Sequence, residues 1–305
     1  MSIENHYFQT ASGAFKFLDK LALEKNDFIF RGHKQKDYKL ETTLQRHRLI
    51  PHSHGLDIDE MINHFRVGLT RLGIAPFQSD SRLDWLEYAR HHGVPTPVLD
   101  FTYSPYIALF FAFNGVKKKY GLKAKEYSVI CALRISGLAH LWAKLSLNPS
   151  PGNDEYQKRY HEFLYPQEDP FHDGFPVPYL QFLPFPGKFN TRMHRQQGCL
   201  LFDTLQYQAL RVANLDKLIE MHREPDTHNP DGKIEKGEPI LRKIFINKKC
   251  VSDIFAKLEL MGISGGGLYM NADGVAQDVV NEYNYISKTS YLRDMRFTPP
   301  DDGPF

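Results

Sequence analysis

Between Trp85 and Ala112 the chain gathers side chains that can hold an anion or move a proton: His91, His92, Thr96, Asp100, Thr102 and Ser104. An imidazole titrates near neutral pH, a carboxylate balances developing positive charge, and hydroxyls donate to phosphate oxygens. An earlier group consists of Arg31, Gly32 directly after it, and Arg46. A planar guanidinium beside bare backbone suits bidentate contact with phosphate or carboxylate. A later group, Arg192-Met-His194-Arg195-Gln196-Gln197-Gly198, sets cations and amides directly before an apolar run. Each group also has a purely structural reading. Asp100 and Ser104 make good caps, a His near a helix end interacts with the last carbonyls, and Arg31 would pair with a carboxylate such as Asp100. Taken together the residues indicate a site for an anion, without specifying a reaction.

The elements that must position these groups follow from periodicity and turn chemistry. Residues 10–24 read as a helix packed through Phe15, Phe17, Leu18, Leu21 and Leu23, and Phe28-Ile-Phe30 as a short strand ending at Arg31-Gly32-His33. A helix through Trp85 stops near Gly93, and Pro95 and Pro97 prevent its resumption. Val98-Leu99 is a very short apolar run before Asp100. Ser104 as N-cap and Pro105 in the first turn then open a helix with Ile107, Ala108, Phe110 and Phe111 on its apolar face. Further expectations are a helix over 56–75, strands at Val129–Leu133, Cys199–Phe202 and Ile240–Ile246, and a helix capped by Ser252 and closed by Gly262. Asn148–Gly187 is rich in Pro and aromatics and reads as a long irregular insertion with a short helix near 154–164. Within it Tyr179, Phe182 and Phe185 either pack the insertion or form a stacking platform for bases. Short strands scattered among helices give an α+β class, with short mixed or antiparallel sheets flanked by helices.

Composition bounds the rest. A chain of 305 residues with 42% hydrophobic and 24% charged residues is that of a globular protein. A formal charge of +2 is too small to argue nucleic-acid binding from bulk charge. No apolar run approaches a membrane span, and the N-terminus lacks a basic region followed by an apolar one. Cys131, Cys199 and Cys250 are far apart and read as buried thiols in a reducing compartment, so a cytoplasmic location is expected. His52-Ser-His54 reads as polar loop and Lys117–Lys125 as a solvated basic connection, which leaves no metal site expected. Gly265-Gly266-Gly267 lacks the following Lys of a phosphate loop.

The order Phe30-Arg31-Gly32, Tyr38-x-Leu40-x-x-x-Leu44-x-Arg46 and Trp85 to Thr102 resembles the FRG domain. The match to that family's second motif is broken at Arg90, where Gln is usual, at His92 for an aromatic, at Pro97 for Arg and at Phe101 for Trp. Arg192 to Phe202 is similar to a later family feature, and Ile263–Val280 to a terminal strand-turn-helix. The resemblance implies one FRG-type domain over 1–305, with its core about 25–285 and the irregular insertion about 148–187. It also implies an ADP-ribosyltransferase-like core.

The activity this implies is transfer of ADP-ribose from NAD, as substrate, to a macromolecule, with a nucleic-acid base as first acceptor, in a toxin or antiviral defence setting. The expected catalytic groups are Arg31 and Gln196 by that resemblance, and Asp100 as counter-charge and His91 as base by the chemistry of the transfer. Arg31, Gly32, Arg46, His91, Thr96, Thr102, Ser104 and Gln197 are expected to hold NAD. A non-catalytic nucleotide-binding sensor and a metal-dependent nuclease are the alternatives.

Overall fold

The computed structural model describes residues 2–24, 27–47, 58–79, 81–116, 126–145, 153–166, 180–184, 191–203, 214–222, 227–228, 234–235 and 237–284. His52, His54, Lys117–Lys125, Tyr179, Phe185 and the C-terminal residues expected to fray lie outside them. Strands β1 (Ile3–Phe8), β2 (Phe28–His33), β3 (Val98–Thr102), β4 (Tyr127–Arg134), β5 (Leu180–Leu183) and β6 (Gly198–Asp203) are followed by two-residue β7 (Thr227–His228) and β8 (Ile234–Glu235), then β9 (Leu241–Asn247). The early helices are α1 (Ala11–Leu23), α2 (Thr43–Arg46), α3 (Ile58–Arg71), α4 (Arg82–His91) and α5 (Pro105–Phe113). Then come α6 (Ile135–Leu145), α7 (Asn153–Leu164), α8 (Thr191–Arg195), α9 (Leu215–Met221), α10 (Val251–Leu260), α11 (Gly265–Tyr269) and α12 (Ala272–Asn284).

An α+β arrangement is present, but the short separate sheets expected from the sequence are joined. One seven-stranded mixed sheet runs in the order β1-β9-β4-β2-β3-β6-β5, and only β7 and β8 pair apart from it. Its neighbours are antiparallel except β1 and β9, which are parallel. On one face α1, α5 and α10 bury Phe15, Leu18, Phe110, Phe113 and Ile254. The other face is covered by α6, α7 and α9 through Leu138, Leu141, Phe163 and Leu218. A third cluster under α3 and α4 closes on Trp85, Leu86 and Phe202.

The central feature is a split in this sheet. Along its whole length β2 pairs with β4, from Phe28 opposite Arg134 to His33 opposite Val129. On its other side β2 meets β3 only where Phe30 faces Thr102. Beyond that pair the strands part, while β3 stays fully paired to β6. Unpaired strand edges must find other hydrogen-bond partners or line a cavity.

Helix α5 seals one side of the split. Ser104 caps it, accepting from Ile107 N–H at 3.3 Å, and Pro105 occupies its first turn. Its apolar residues are buried nearly all round, as befits a helix inside a core. Gly32 lets it lie directly on β2: a Cβ there would sit 2.0 Å from Ala108 O and 2.7 Å from Ala112 N. Gly32, expected beside a ligand, lies on the cavity wall and also has this helix directly against it. Gly32→Ala is therefore expected to cost about 3 kcal/mol or more, because backbone must move to admit the methyl. Denaturant unfolding measures it, and an unchanged midpoint would contradict the packing argument.

Several local expectations are corrected. Arg31, Gly32 and His33 lie within β2 rather than past its end, and the Val98-Leu99 run extends through Asp100 to Thr102. Ser252 does not cap α10. A 3-10 turn at Lys248–Cys250, capped by Asn247, feeds that helix from Val251. The residues read as a terminal strand-turn-helix form two helices instead, α11 and α12. Here the Asp278 carboxylate accepts from Gly265 N–H at 2.6 Å and Gly266 N–H at 2.7 Å, so the glycine run is already answered by an internal anion. Inside the insertion, the expected helix is α7, and Phe182 is a buried residue of β5.

Candidate functional site

The split encloses a cavity of about 680 Å³, a size common among small-molecule sites. Phe30 to His33 of β2, residues from Lys34 to Glu41 in the following loop, Arg46 of α2, Asp100 to Thr102 of β3, Phe111 of α5, and Arg192 and Gln196 form its walls. Of the sequence-derived candidates it brings together Arg31, Gly32, Arg46, Asp100, Thr102 and Gln196. His91, Thr96, Ser104 and Gln197 are not on its wall.

Arg31 spans the split. Its NH1 donates to the Asp100 carbonyl at 2.6 Å, satisfying a strand oxygen that the parted ladder leaves open. Its Nε donates to His33 Nε2 at 3.1 Å. Among the described residues these contacts use two of the five guanidinium N–H groups. Burial is the main reason its pKa falls to about 10; Asp100 pulls the other way, while Arg90 and Arg46 add to the lowering. A guanidinium pushed down in this way is a cation short of solvent, which the Asp100 charge offsets only in part.

The carboxylate that sequence reading offered to Arg31 is engaged elsewhere. Asp100 Oδ1 accepts from Arg90 Nε at 2.6 Å, and Oδ2 pairs with Arg90 NH2 in a bidentate contact. Arg90 also donates from NH1 to Thr96 Oγ1 at 3.4 Å. Asp100 sits deep in the concave floor, yet 42% of its side-chain surface opens to the cleft, against 12% for Arg90. Burial alone would raise the Asp100 carboxyl, but the Arg90 charge and hydrogen bonds, then Arg31, bring it down to about 2. Its contribution to stability is thus present above the ordinary carboxylate value of 3.8 and is lost as pH falls toward 2.

His33 is a site residue to which sequence reading gave no role. It is buried, and desolvation first, the Arg31 charge next, hold its imidazole down at about 3. Its Nε2 accepts from Arg31, which places the ring proton on Nδ1, 4.0 Å from Cys131 Sγ. In the unfolded chain the ring takes up a proton below about 6.5, which the folded chain refuses, so stability declines as pH drops from 6.5 toward 3. His33→Gln is expected to flatten that decline by a few kcal/mol across the window. Urea unfolding at a series of pH values measures both slopes, and parallel slopes would count against a buried neutral His33.

The remaining candidates hold backbone. Thr102 Oγ1 donates to the Gln196 carbonyl at 2.7 Å and accepts from Ser104 N–H at 3.0 Å. Ser104 is spent on the α5 cap. Thr96 clasps α2: its N–H donates to Thr43 Oγ1 at 2.9 Å, and that hydroxyl donates to the Thr96 carbonyl at 3.1 Å. This clasp holds the helix that carries Arg46, whose NH1 donates to the Glu41 carbonyl at 2.8 Å. Gln196 Nε2 reaches the Leu268 carbonyl at 3.4 Å. Gln197, in the left-handed region at φ 46°, accepts Tyr103 N–H at 2.9 Å and so shapes the turn into β6. His91 is exposed at the end of α4.

Two further side chains complete the wall. Arg192 lies over the Tyr269 ring at 4.4 Å, and its buried Nε has no hydrogen-bond acceptor among the described residues. Tyr38, 56% exposed, stands at the rim edge-on to His33. From behind, Asp216 of α9 accepts Leu40 N–H at 2.6 Å, Asn214 donates to Glu41 Oε1 at 3.0 Å, and Asp216 pairs with Lys243. The loop that carries Tyr38 and Lys39 is thereby tied to a helix. Cys131, Cys199 and Cys250 are all free thiols in buried positions. Burial pushes the Cys131 thiol up to about 12, which removes it as a nucleophile.

Among the described residues no helix is long and apolar enough to cross a membrane, and no cluster of His, Cys, Asp and Glu has the form of a metal site. The family model of the FRG domain matches residues 26–121, the segment that supplies Arg31, Arg46, Arg90 and Asp100. No curated protein and no solved structure matches the chain.

Proposed function

The chain carries an FRG domain, and we propose that it uses the cleft at Arg31 to hold NAD and transfer its ADP-ribose to a macromolecular acceptor. One observation carries the reading: a half-buried guanidinium, whose nearest carboxylate Asp100 is gripped by Arg90, lines a cavity large enough for a nucleotide. A diphosphate supplies the charge that Arg31 lacks, and the guanidinium fork meets it in bidentate fashion. Arg46 adds a second positive charge on the same wall, and the unmatched Arg192 Nε marks another donor-rich edge.

Bound NAD supplies a nicotinamide–ribose bond whose cleavage builds positive charge on the ribose. Asp100, ionised down to about pH 2 and open to the cleft, offers a fixed negative charge against that build-up. Arg31 fixes the diphosphate so that the reacting carbon is held in place. A nucleic-acid base is the acceptor we test first, in a toxin or defence setting. Incubating the protein with labelled NAD and DNA, RNA and protein in turn is expected to leave label on one class. Folded protein that neither consumes NAD nor transfers label would refute transfer.

A second reading, a nucleotide sensor without chemistry, is favoured by the tie between Asp100 and Arg90 and by Gln196 on the late wall. In that case NAD or ADP-ribose binds at Arg31 and is recovered unchanged.

A further inference from the structure

Arg90 does not line the cleft, yet it decides how much positive charge the cleft presents. Its side chain is 12% exposed behind the wall, gripping both Asp100 oxygens, with Thr96 as its third partner. Asp100 is also faced by His91 from the same helix, by Arg31 from β2, and by the Cys199 thiol from β6. Arg31 already touches the Asp100 carbonyl, so the carboxylate of that residue is its nearest available counter-charge. Only one of the two arginines can have its full use.

We infer that Arg90 sets the preference of the cleft for a diphosphate by drawing the Asp100 charge away from Arg31. The inference rests on the reading of the cleft as a nucleotide site. With Arg90 present, Arg31, Asp100 and Arg90 together carry one net positive charge. Without it, Arg31 and Asp100 neutralise one another, and an incoming anion must compete with a carboxylate already in place. Arg90 is thus a positioning residue that acts through Asp100 and touches no ligand.

Calorimetric titration with ADP tests this on the full chain. Arg90→Gln is expected to weaken ADP by about tenfold or more, which is about 1.4 kcal/mol. Arg90→Lys should lose less than Arg90→Gln, since the charge is kept although the two-pronged grip on Asp100 is lost. The double variant R90Q/D100N is expected to recover the affinity, because the carboxylate that would occupy Arg31 is gone. Lowering the pH through the carboxylate range should restore ADP binding to Arg90→Gln more than to wild type.

Wild-type affinity in Arg90→Gln would overturn the inference. So would a loss that Asp100→Asn fails to rescue, which would mark Arg90 as a structural strut. Should Arg90→Gln not fold, R90Q/D100N and Arg90→Lys are compared with wild type, and a tenfold loss in either overturns it. Absence of ADP binding by wild type defeats the nucleotide site itself and the inference with it, a result distinct from equal binding by both proteins.

Discussion

Replacing Arg31 with Ala lowers the affinity for ADP or NAD by about 100-fold or more, while the protein still unfolds cooperatively. The size follows from what is lost: a charge-assisted, geometrically matched contact to an anion in a desolvated cleft, for which truncation costs about 2–5 kcal/mol. Fold stability falls less, because among the described residues the side chain is tied by hydrogen bonds only to the Asp100 carbonyl and to His33 Nε2. Arg31→Lys should lie between, keeping the charge and losing the fork. Titration calorimetry beside a denaturation curve separates the two effects. Affinity within about threefold of wild type in Arg31→Ala would place the anion elsewhere.

Asp100→Ala has its largest effect on stability, at about 3 kcal/mol. It strips Arg90 of both hydrogen-bonded oxygens, and Arg90 has little solvent with which to replace them. Breaking a buried pair from one side costs about 3–5 kcal/mol, and the opening of Asp100 to the cleft moves the expectation to the lower end. Removing both members, as in Arg90→Met with Asp100→Leu, should recover much of the loss, since neither charge is then stranded. Chemical denaturation of the two variants beside wild type reads this directly. Equal losses in single and double variants would show that the pair is not coupled.

The juxtaposition at the centre of the site was legible in the sequence, for physical reasons. An apolar strand before Arg31 and a Ser-Pro helix start after Asp100-Phe-Thr102 both point into one core, and β2 and β3 do meet at Phe30 and Thr102. Residue type was a poorer guide to role. Thr102 and Ser104 have the hydroxyls a phosphate needs, but a turn between a strand and a buried helix takes those hydroxyls for its own backbone. Gly32 stands on the cleft wall, but its lack of a side chain also answers to the close approach of α5, which no local pattern announces.

The Arg90 pairing had no local signature. Arg90 sits on a helix and Asp100 on a strand beyond a turn with two prolines, and only the assembled turn sets the guanidinium against the carboxylate. His33 alternates with Arg31 along β2 and so shares its face, a strand-period signal that was available. The partner of β1 was not legible. It pairs in parallel with β9 from the other end of the chain, and its residues do not form an apolar run.

The most direct measurement is a crystal structure of the protein soaked with NAD. Diphosphate oxygens are expected within hydrogen-bond distance of the Arg31 guanidinium, in the split between β2 and β3, with Asp100 still held by Arg90. A dinucleotide bound on another surface, or a cleft left empty at saturating NAD with Arg31 turned onto the Asp100 carboxylate, would contradict this.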